Sequence, residues 1–150
     1  MCGADDPVAE TDVCLILLVL VNGNPLTEAG NAEAQAIAGA IAAFQLNTRT
    51  RRDYGLDPLD TMTIPCVTMT NTRPDFYLIP VTTVLSDAVM AGRHPTTQTQ
   101  VLRCPIVDTR RRVLGIRMDD REYRKLAFKS FLAFKTLAKS HWVHILKGIK

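Results

Sequence analysis

The stretch that most constrains the fold is a short apolar run, VCLILLVLV, at Val13–Val21. Its nine residues are too few for a membrane-spanning helix, which needs about 20. The residues before it are acidic, the reverse of the basic segment that opens a secretory signal. Because the run mixes Val, Ile and Leu without polar alternation, it predicts a central strand covered by helices on both faces.

One helix and three further strands are predicted after this run. The helix is expected over 31–48, with Asn31 as its N-cap. Pro65 lacks the N–H that a strand ladder uses, so it indicates a sheet edge or a bulge. The apolar stripe of the helix comprises Ala34, Ile37, Ile41 and Phe44. The Thr, Val and Ile content predicts strands at Thr61–Met69, Asp75–Val81 and Thr99–Val107.

The stretch 73–95 predicts a strand followed by a short helix. Thr82 or Thr83 is expected to cap the N-terminus of the helix, and Gly92 to supply the left-handed residue that ends it. Pro95 then prevents the helix from continuing. The predicted packing face comprises Val84, Leu85, Ala88 and Val89.

A long final helix is predicted from the capping residue Asp119, with Glu122 completing a capping box, to Lys147. At about 100° per residue, its basic residues gather opposite an apolar face. Four apolar residues lie on the basic side as well: Phe128, Leu132, Val143 and Leu146. The predicted core face comprises Tyr123, Leu126, Ala127, Ser130, Phe134, Leu137, Ala138, His141 and Ile145.

These elements define the expected architecture. A chain of 150 residues is long enough for one domain with a buried core. We expect a flexible acidic N-terminus at 1–12 and a single α/β domain at 13–150, with an α+β arrangement as the alternative. One mixed sheet of about four strands is flanked by three helices, the last of them long and basic.

Charge is distributed unevenly along the chain. Residues 1–100 contain five Arg and eleven Asp or Glu, a net charge of −6, whereas residues 101–150 contain thirteen Lys or Arg and four Asp or Glu, a net charge of +9. Such a segment can bind nucleic acid or an acidic protein, or it can simply solvate a long helix. The predicted binding residues are Arg110, Arg111, Arg112, Arg117, Arg121, Arg124, Lys125 and Lys129.

The sequence contains no catalytic or metal-binding pattern. His141 and His144 have a spacing that can share a metal, but no third ligand is apparent. The four cysteines form no C-x-x-C pair, and those inside predicted strands, Cys66 and Cys104, are expected to be buried and reduced. We therefore predict no catalytic residue, no metal and no cofactor, in an intracellular protein (cytoplasmic or nuclear) that binds no membrane.

Several separated blocks resemble a domain that recurs in uncharacterised proteins of basidiomycete fungi. The resemblance covers about residues 28–150. The family has no assigned activity, and some members are longer upstream, which implies the C-terminal part of a larger architecture. The blocks are LDTMTIPCVTM (59–69), TRPDFYLIPVTTVLSDAVMAGRHP (72–95), QTQVLRC (98–104) and LAFKTLAKSHWVHILKGI (132–149).

A strand that ends in a polar segment, followed by a helix with an early glutamine, is similar to the restriction-endonuclease-like superfamily. In that superfamily an Asp and a Glu-x-Lys bind a divalent metal and position the attacking water. The matching positions here are Asn22 and Asn24, with Gln35 as the glutamine, and no Glu-x-Lys or Asp-x-Lys occurs. Neutral amides do not supply the negative field of a magnesium site. This resemblance implies a degenerate or incomplete active site.

Two functional hypotheses follow from the sequence. The first is a non-catalytic binding or interaction module that uses the basic C-terminal surface. The alternative is a nuclease-like, metal-dependent domain with a degenerate or incomplete site. Cleavage of nucleic acid that depends on Mg²⁺ or Mn²⁺ distinguishes the two hypotheses.

Overall fold

The computed structural model of the protein describes residues 19–23, 29–70, 72–106 and 118–146. The predicted acidic segment 1–12 lies outside these residues. The mixed α/β fold expected from the sequence is confirmed. Along the chain, the elements are β1 (Val19–Gly23), α1 (Ala29–Asp53), β2 (Thr61–Thr70), β3 (Arg73–Thr82), α2 (Thr83–Met90), β4 (Leu102–Pro105) and α3 (Arg121–Leu146).

The strands form one sheet in the order β1-β2-β3-β4. β1 pairs with β2 in parallel, and the other neighbours are antiparallel. A parallel pair needs a crossover connection, which α1 supplies between β1 and β2. Successive residues of a strand point to opposite faces of the sheet. Since α1 shares a core cluster with Tyr77 and α3 packs on Phe76, the two long helices cover opposite faces.

Among the strands that the structure describes, β1 lies at the edge of the sheet, which corrects the prediction of a central strand covered on both faces. Leu20, opposite Val67, is 72% exposed, so the described residues leave this side of β1 open. The remaining part of the apolar run, 13–18, lies outside the described residues. The prediction fails because an unbroken apolar run indicates that a strand is hydrophobic. It does not indicate the position of that strand in the sheet.

Pro65 is buried in β2, a strand with described neighbours on both sides. It stands opposite Leu78 of β3. The described pairing of β2 with β1 begins at the next residue, Cys66 opposite Val19. On the β1 side of β2, Pro65 has no described partner. Its missing N–H therefore interrupts no described hydrogen bond between these two strands.

α1 packs on the sheet through small side chains. Ala36 and Ala40 are completely buried, and Phe44 continues the same stripe. Their neighbours in the core include Ile64 and Cys66 of β2. Because an alanine has no side-chain atom beyond Cβ, the helix can approach the strands closely.

α1 is longer than predicted at both ends. It spans Ala29–Asp53, so Asn31 lies inside the helix and is not its N-cap. Ala34, which belonged to the predicted stripe, is exposed. The buried stripe instead continues through Asn47 and Arg51, and this continuation carries the helix past its predicted end.

Arg51 is a buried cation that joins two distant parts of the chain. Only 8% of Arg51 is exposed. Its Nε donates to the carbonyl oxygen of Asp57 at 2.8 Å, and its Nη1 donates to that of Ile145 at 3.3 Å. These bonds link the end of α1 to the end of α3.

α2 has the ends that the sequence predicts. The hydroxyl oxygen of Thr82 accepts a hydrogen bond from the backbone N–H of Leu85 at 3.2 Å, which confirms it as the N-cap. Gly92 has a φ of 63°. Its N–H donates to the carbonyl of Val89, and the N–H of Arg93 donates to that of Ala88. This is a Schellman motif, so the predicted role of Gly92 is confirmed.

The predicted packing face of α2 is wrong in part. Val84 is 63% exposed and Val89 is 45% exposed, whereas Ser86 is buried. Leu85 does pack against the core cluster. A helix of eight residues offers too few apolar positions to fix its rotation from periodicity alone.

β4 is shorter than predicted, with four paired residues that are all exposed. The predicted start of this strand, Thr99, belongs to the preceding loop. Cys104 is therefore exposed, which corrects its expected burial, while Cys66 is buried as expected.

Candidate binding surface on the C-terminal helix

α3 begins at an aspartate cap. The Oδ1 atom of Asp120 accepts hydrogen bonds from the backbone N–H groups of Glu122 and Tyr123, both at 2.9 Å. Asp120 is therefore the N-cap in place of the predicted Asp119. Glu122 pairs with Lys125 at 2.8 Å.

The inner face of α3 is anchored on one aromatic residue of β3. Phe76 contacts Phe131 and Phe134, with ring centroids 5.0 Å and 4.9 Å apart. Tyr123 is buried near the start of the helix, and this burial raises the pKa of its hydroxyl above the ordinary value. Leu137 is 45% exposed, which corrects its predicted place in the core face. Burial is confirmed at Tyr123, Ala127, Ala138 and Ile145.

The side of α3 that faces away from the sheet carries cations and large apolar side chains together. The exposed fractions of Phe128, Leu132 and Val143 are 58%, 66% and 49%. We call this side the outer face. Its charged and large apolar members lie within an arc of about 120°, over a length of about 33 Å at about 1.5 Å per residue. They are Arg121, Lys125, Phe128, Lys129, Leu132, Lys135, Lys139 and Val143.

The positive charge of the outer face is largely uncompensated. Among the described residues, only Lys125 of its five cations forms an ion pair. The sequence contains no Asp or Glu after Glu122. An acidic partner therefore meets little competition from the chain itself along most of this helix.

The structure describes four of the eight predicted binding residues. Arg121, Lys125 and Lys129 are exposed on the outer face. Arg124 is exposed too, but it holds the start of the helix, where its Nε donates to the carbonyl of Met118 at 2.9 Å. The other four lie outside the described residues: Arg110, Arg111, Arg112 and Arg117.

Two cations of the outer face were not among the predicted binding residues. Lys135 and Lys139 lie between Leu132 and Val143 and are exposed. The prediction favoured residues near the N-terminal end of α3, because arginines are dense in the segment before the helix. The helical period alone places both lysines on the same side as Phe128.

A polar cluster lies on the opposite side of the sheet, where α1, β3 and β4 meet. Arg103 Nη2 is 2.7 Å from Asp75 Oδ2, and Nη1 is 3.6 Å from Glu33 Oε2. The guanidinium lies 5.8 Å from the ring centroid of Tyr77, whose hydroxyl donates to Glu33 at 3.4 Å. Burial raises the pKa of Tyr77. Each charged side chain in the cluster has a partner within it. The contacts of the cluster join α1, β3 and β4.

The described residues bring together no group of three His, Cys, Asp or Glu side chains that could hold a metal ion. Asn22 lies in β1, Asn24 lies outside the described residues, and Gln35 is exposed on α1. His141 is half-buried. The side chain of His144, three residues farther along, is not among those the structure describes.

No protein-family model matches the chain, and no curated protein or solved structure is significantly similar to it. The resemblances to the fungal domain and to the restriction-endonuclease-like superfamily therefore stay predictions. Of the three helices that the structure describes, none carries an apolar stretch of the length that a bilayer requires.

Proposed function

We propose that this protein is a binding module that holds an acidic, amphipathic protein segment on the outer face of α3. The observation that carries the proposal is the exposure of Phe128 and Leu132 among cations that the described chain leaves mostly unpaired. Complete burial of a fully exposed side chain of this size is worth about 1.5–3 kcal/mol, and Phe128 and Leu132 are 58% and 66% exposed. The proposal includes an intracellular location, because an exposed cysteine such as Cys104 stays a thiol in a reducing compartment.

The apolar residues favour a protein over a nucleic acid as the partner. Phosphates are neutralised by Lys and Arg, but they give no cover to an aliphatic side chain. Leu132 and Val143 are exposed between the cations, so a nucleic acid that contacts the lysines through its phosphates leaves them in water. A helix with apolar residues on one stripe and carboxylates beside it covers both kinds of side chain.

The same charge pattern disfavours a second copy of the chain as the occupant. Two outer faces brought together place lysines against lysines, which costs free energy because like charges repel. Since the core contacts of α3 come from its other side, through Phe131 and Phe134, a partner can bind the outer face without changing the fold.

The proposal is tested with a synthetic helical peptide of about 20 residues, which spans about 30 Å. The peptide carries Leu along one stripe and Glu on both flanks. Its control has the same composition in scrambled order. We expect the double variants Phe128→Ala/Leu132→Ala and Lys135→Glu/Lys139→Glu each to weaken its binding about tenfold or more.

Two control variants distinguish binding at the outer face from nonspecific hydrophobic binding and from nonspecific electrostatic attraction. Val84→Ala removes an exposed apolar side chain elsewhere, and Arg49→Glu/Arg52→Glu reverses two exposed cations of α1. Both are expected to leave peptide binding unchanged. Equal binding of the scrambled peptide, or no binding at low salt, contradicts the proposal.

Duplex DNA and single-stranded RNA are titrated in parallel. If they bind and only the lysine reversals matter, the surface is a nucleic-acid site, and its affinity falls steeply with salt. The nuclease-like alternative is tested by adding Mg²⁺ or Mn²⁺ to the same samples. We expect no cleavage, because the chain has no Glu-x-Lys or Asp-x-Lys.

A further inference from the structure

We propose a second binding site, independent of the outer face of α3: a groove that takes an uncharged, largely apolar small molecule. The groove has a volume of about 620 Å³. Small-molecule sites usually have volumes of about 300–1,000 Å³. The groove is therefore large enough for a ligand and is not a packing defect.

The floor of the groove is the second half of β3. Leu78 and Pro80 follow Phe76 at intervals of two residues, so they point to the same face of the sheet, the face on which α3 packs. α3 covers Phe76 with Phe131 and Phe134. Farther along the helix, His141 is the residue that borders the groove. The sheet surface beyond Phe76 is thus only partly covered by α3.

The walls come from three other segments. Val84 at the start of α2 stands on one side, Leu102 of β4 on another, and the loop 95–100 closes the third. Val84 and Leu102 are each 63% exposed. A molecule in the groove removes both side chains from water, which supplies a driving force for an apolar ligand.

The chemistry of the lining selects for an uncharged ligand. No Asp, Glu, Lys or Arg is among the described residues that border the groove. A charged ligand loses hydration there and gains no opposite charge, whereas a neutral one avoids that cost. The polar side chains of the lining are those of Thr63, Thr82, Thr97, Gln98, Thr99, Gln100 and His141. These groups can orient a ligand that has one or two hydrogen-bonding atoms.

The groove differs from the outer face in a way that an experiment can detect. The outer face attracts its partner through charge, and that attraction weakens with salt. The groove has no charged lining, so its affinity for a neutral molecule is expected to stay constant or rise with salt. Experiments can therefore support one of the two proposed sites and contradict the other.

The test uses Nile red, an uncharged dye whose emission increases in an apolar site. We expect saturable binding of one dye per chain and an affinity that does not fall between about 50 and 500 mM salt. Leu102→Glu places a charge at the rim and is expected to lower the affinity about tenfold or more. Leu132→Glu changes an equally exposed leucine on the outer face and is expected to leave it unchanged.

Val84→Glu serves as a second variant in case Leu102→Glu weakens β4. Thermal unfolding shows whether each variant is folded at the temperature of the titration. Non-saturable binding to the wild-type chain overturns the proposal. It is equally overturned if Leu132→Glu removes the dye while both rim variants retain it, since the dye then sits on α3.

Discussion

α1 and α3 are nearly equal in length, 25 and 26 residues, but they use their apolar side chains differently. α1 buries Ala36, Ala40 and Phe44 on one face of the sheet. α3 covers the other face with Phe131 and Phe134, and it also exposes Phe128 and others to solvent. Its exposed large apolar residues are Phe128, Leu132, Leu137 and Val143.

This difference separates the role of a helix in the fold from its role at the surface. The sheet covers most of the apolar stripe of α1, although Leu46 is 48% exposed. α3 carries more apolar surface than its contacts with the sheet require. Contiguous exposed apolar patches mark interaction sites more often than they support folding. Substitutions at matched positions of the two helices measure this difference directly.

The largest contrast is expected between two phenylalanines. Phe44→Ala leaves a cavity in the core and should lower the free energy of unfolding by about 3–5 kcal/mol. Phe128→Ala should change it by no more than about 0.5 kcal/mol, because the side chain is exposed. Urea unfolding of both variants measures the two values. A loss of several kcal/mol in Phe128→Ala would show that the outer face is covered in the folded protein.

A smaller contrast is expected between two neighbouring arginines. Arg51→Ala leaves the carbonyls of Asp57 and Ile145 without their donor and should cost about 1–3 kcal/mol. Arg52→Ala, its exposed neighbour, should cost no more than about 0.5 kcal/mol. Thermal unfolding of the pair gives the comparison. Equal effects would mean that the buried bonds of Arg51 contribute no net stability.

The next effect concerns the start of α3. Asp120→Ala removes the acceptor for two backbone N–H groups and should cost about 0.5–2 kcal/mol. Asp119→Ala, one residue earlier, should cost less, because among the described residues the carboxylate of Asp119 accepts only from the N–H of Asp120. The urea concentrations at which the two variants are half unfolded show whether Asp119 or Asp120 is the N-cap. A larger loss in Asp119→Ala would restore the cap predicted from the sequence.

The smallest expected effect has the opposite sign. Lys135→Glu places a carboxylate four residues before Lys139, an orientation that stabilises a helix by about 0.2–0.5 kcal/mol. The same change should weaken binding of the acidic peptide. Unfolding and peptide titration of this variant measure both quantities. A variant that binds as tightly as the wild type would remove Lys135 from the proposed surface.

The features that the sequence predicted well depend on few neighbours. The hydroxyl of Thr82 and the positive φ of Gly92 are fixed within one turn of the chain. The outer face of α3 follows from the helical period, which places Phe128 and Leu132 among the lysines. The choice between Asp119 and Asp120 failed because both residues are competent caps and only the local geometry separates them.

The features that the sequence could not predict depend on distant segments. The edge position of β1, and with it the exposure of Leu20, is set by which strands pair. The buried role of Arg51 requires a carbonyl 94 residues away. The groove combines residues of β3, α2, β4 and α3, and no local pattern in any one of them indicates it.

The pairing of β2 with β3 has a consequence for the order of folding. The strands pair along their whole length, from Thr61 opposite Thr82 to Thr70 opposite Arg73, and are separated by only two positions in the chain. Closing so short a loop costs little entropy, whereas pairing β1 with β2 must first order the long crossover through α1. The hairpin is therefore expected to form in the folding transition state, with φ-values near 1 at Ile64 and Ile79 and near 0 in β1.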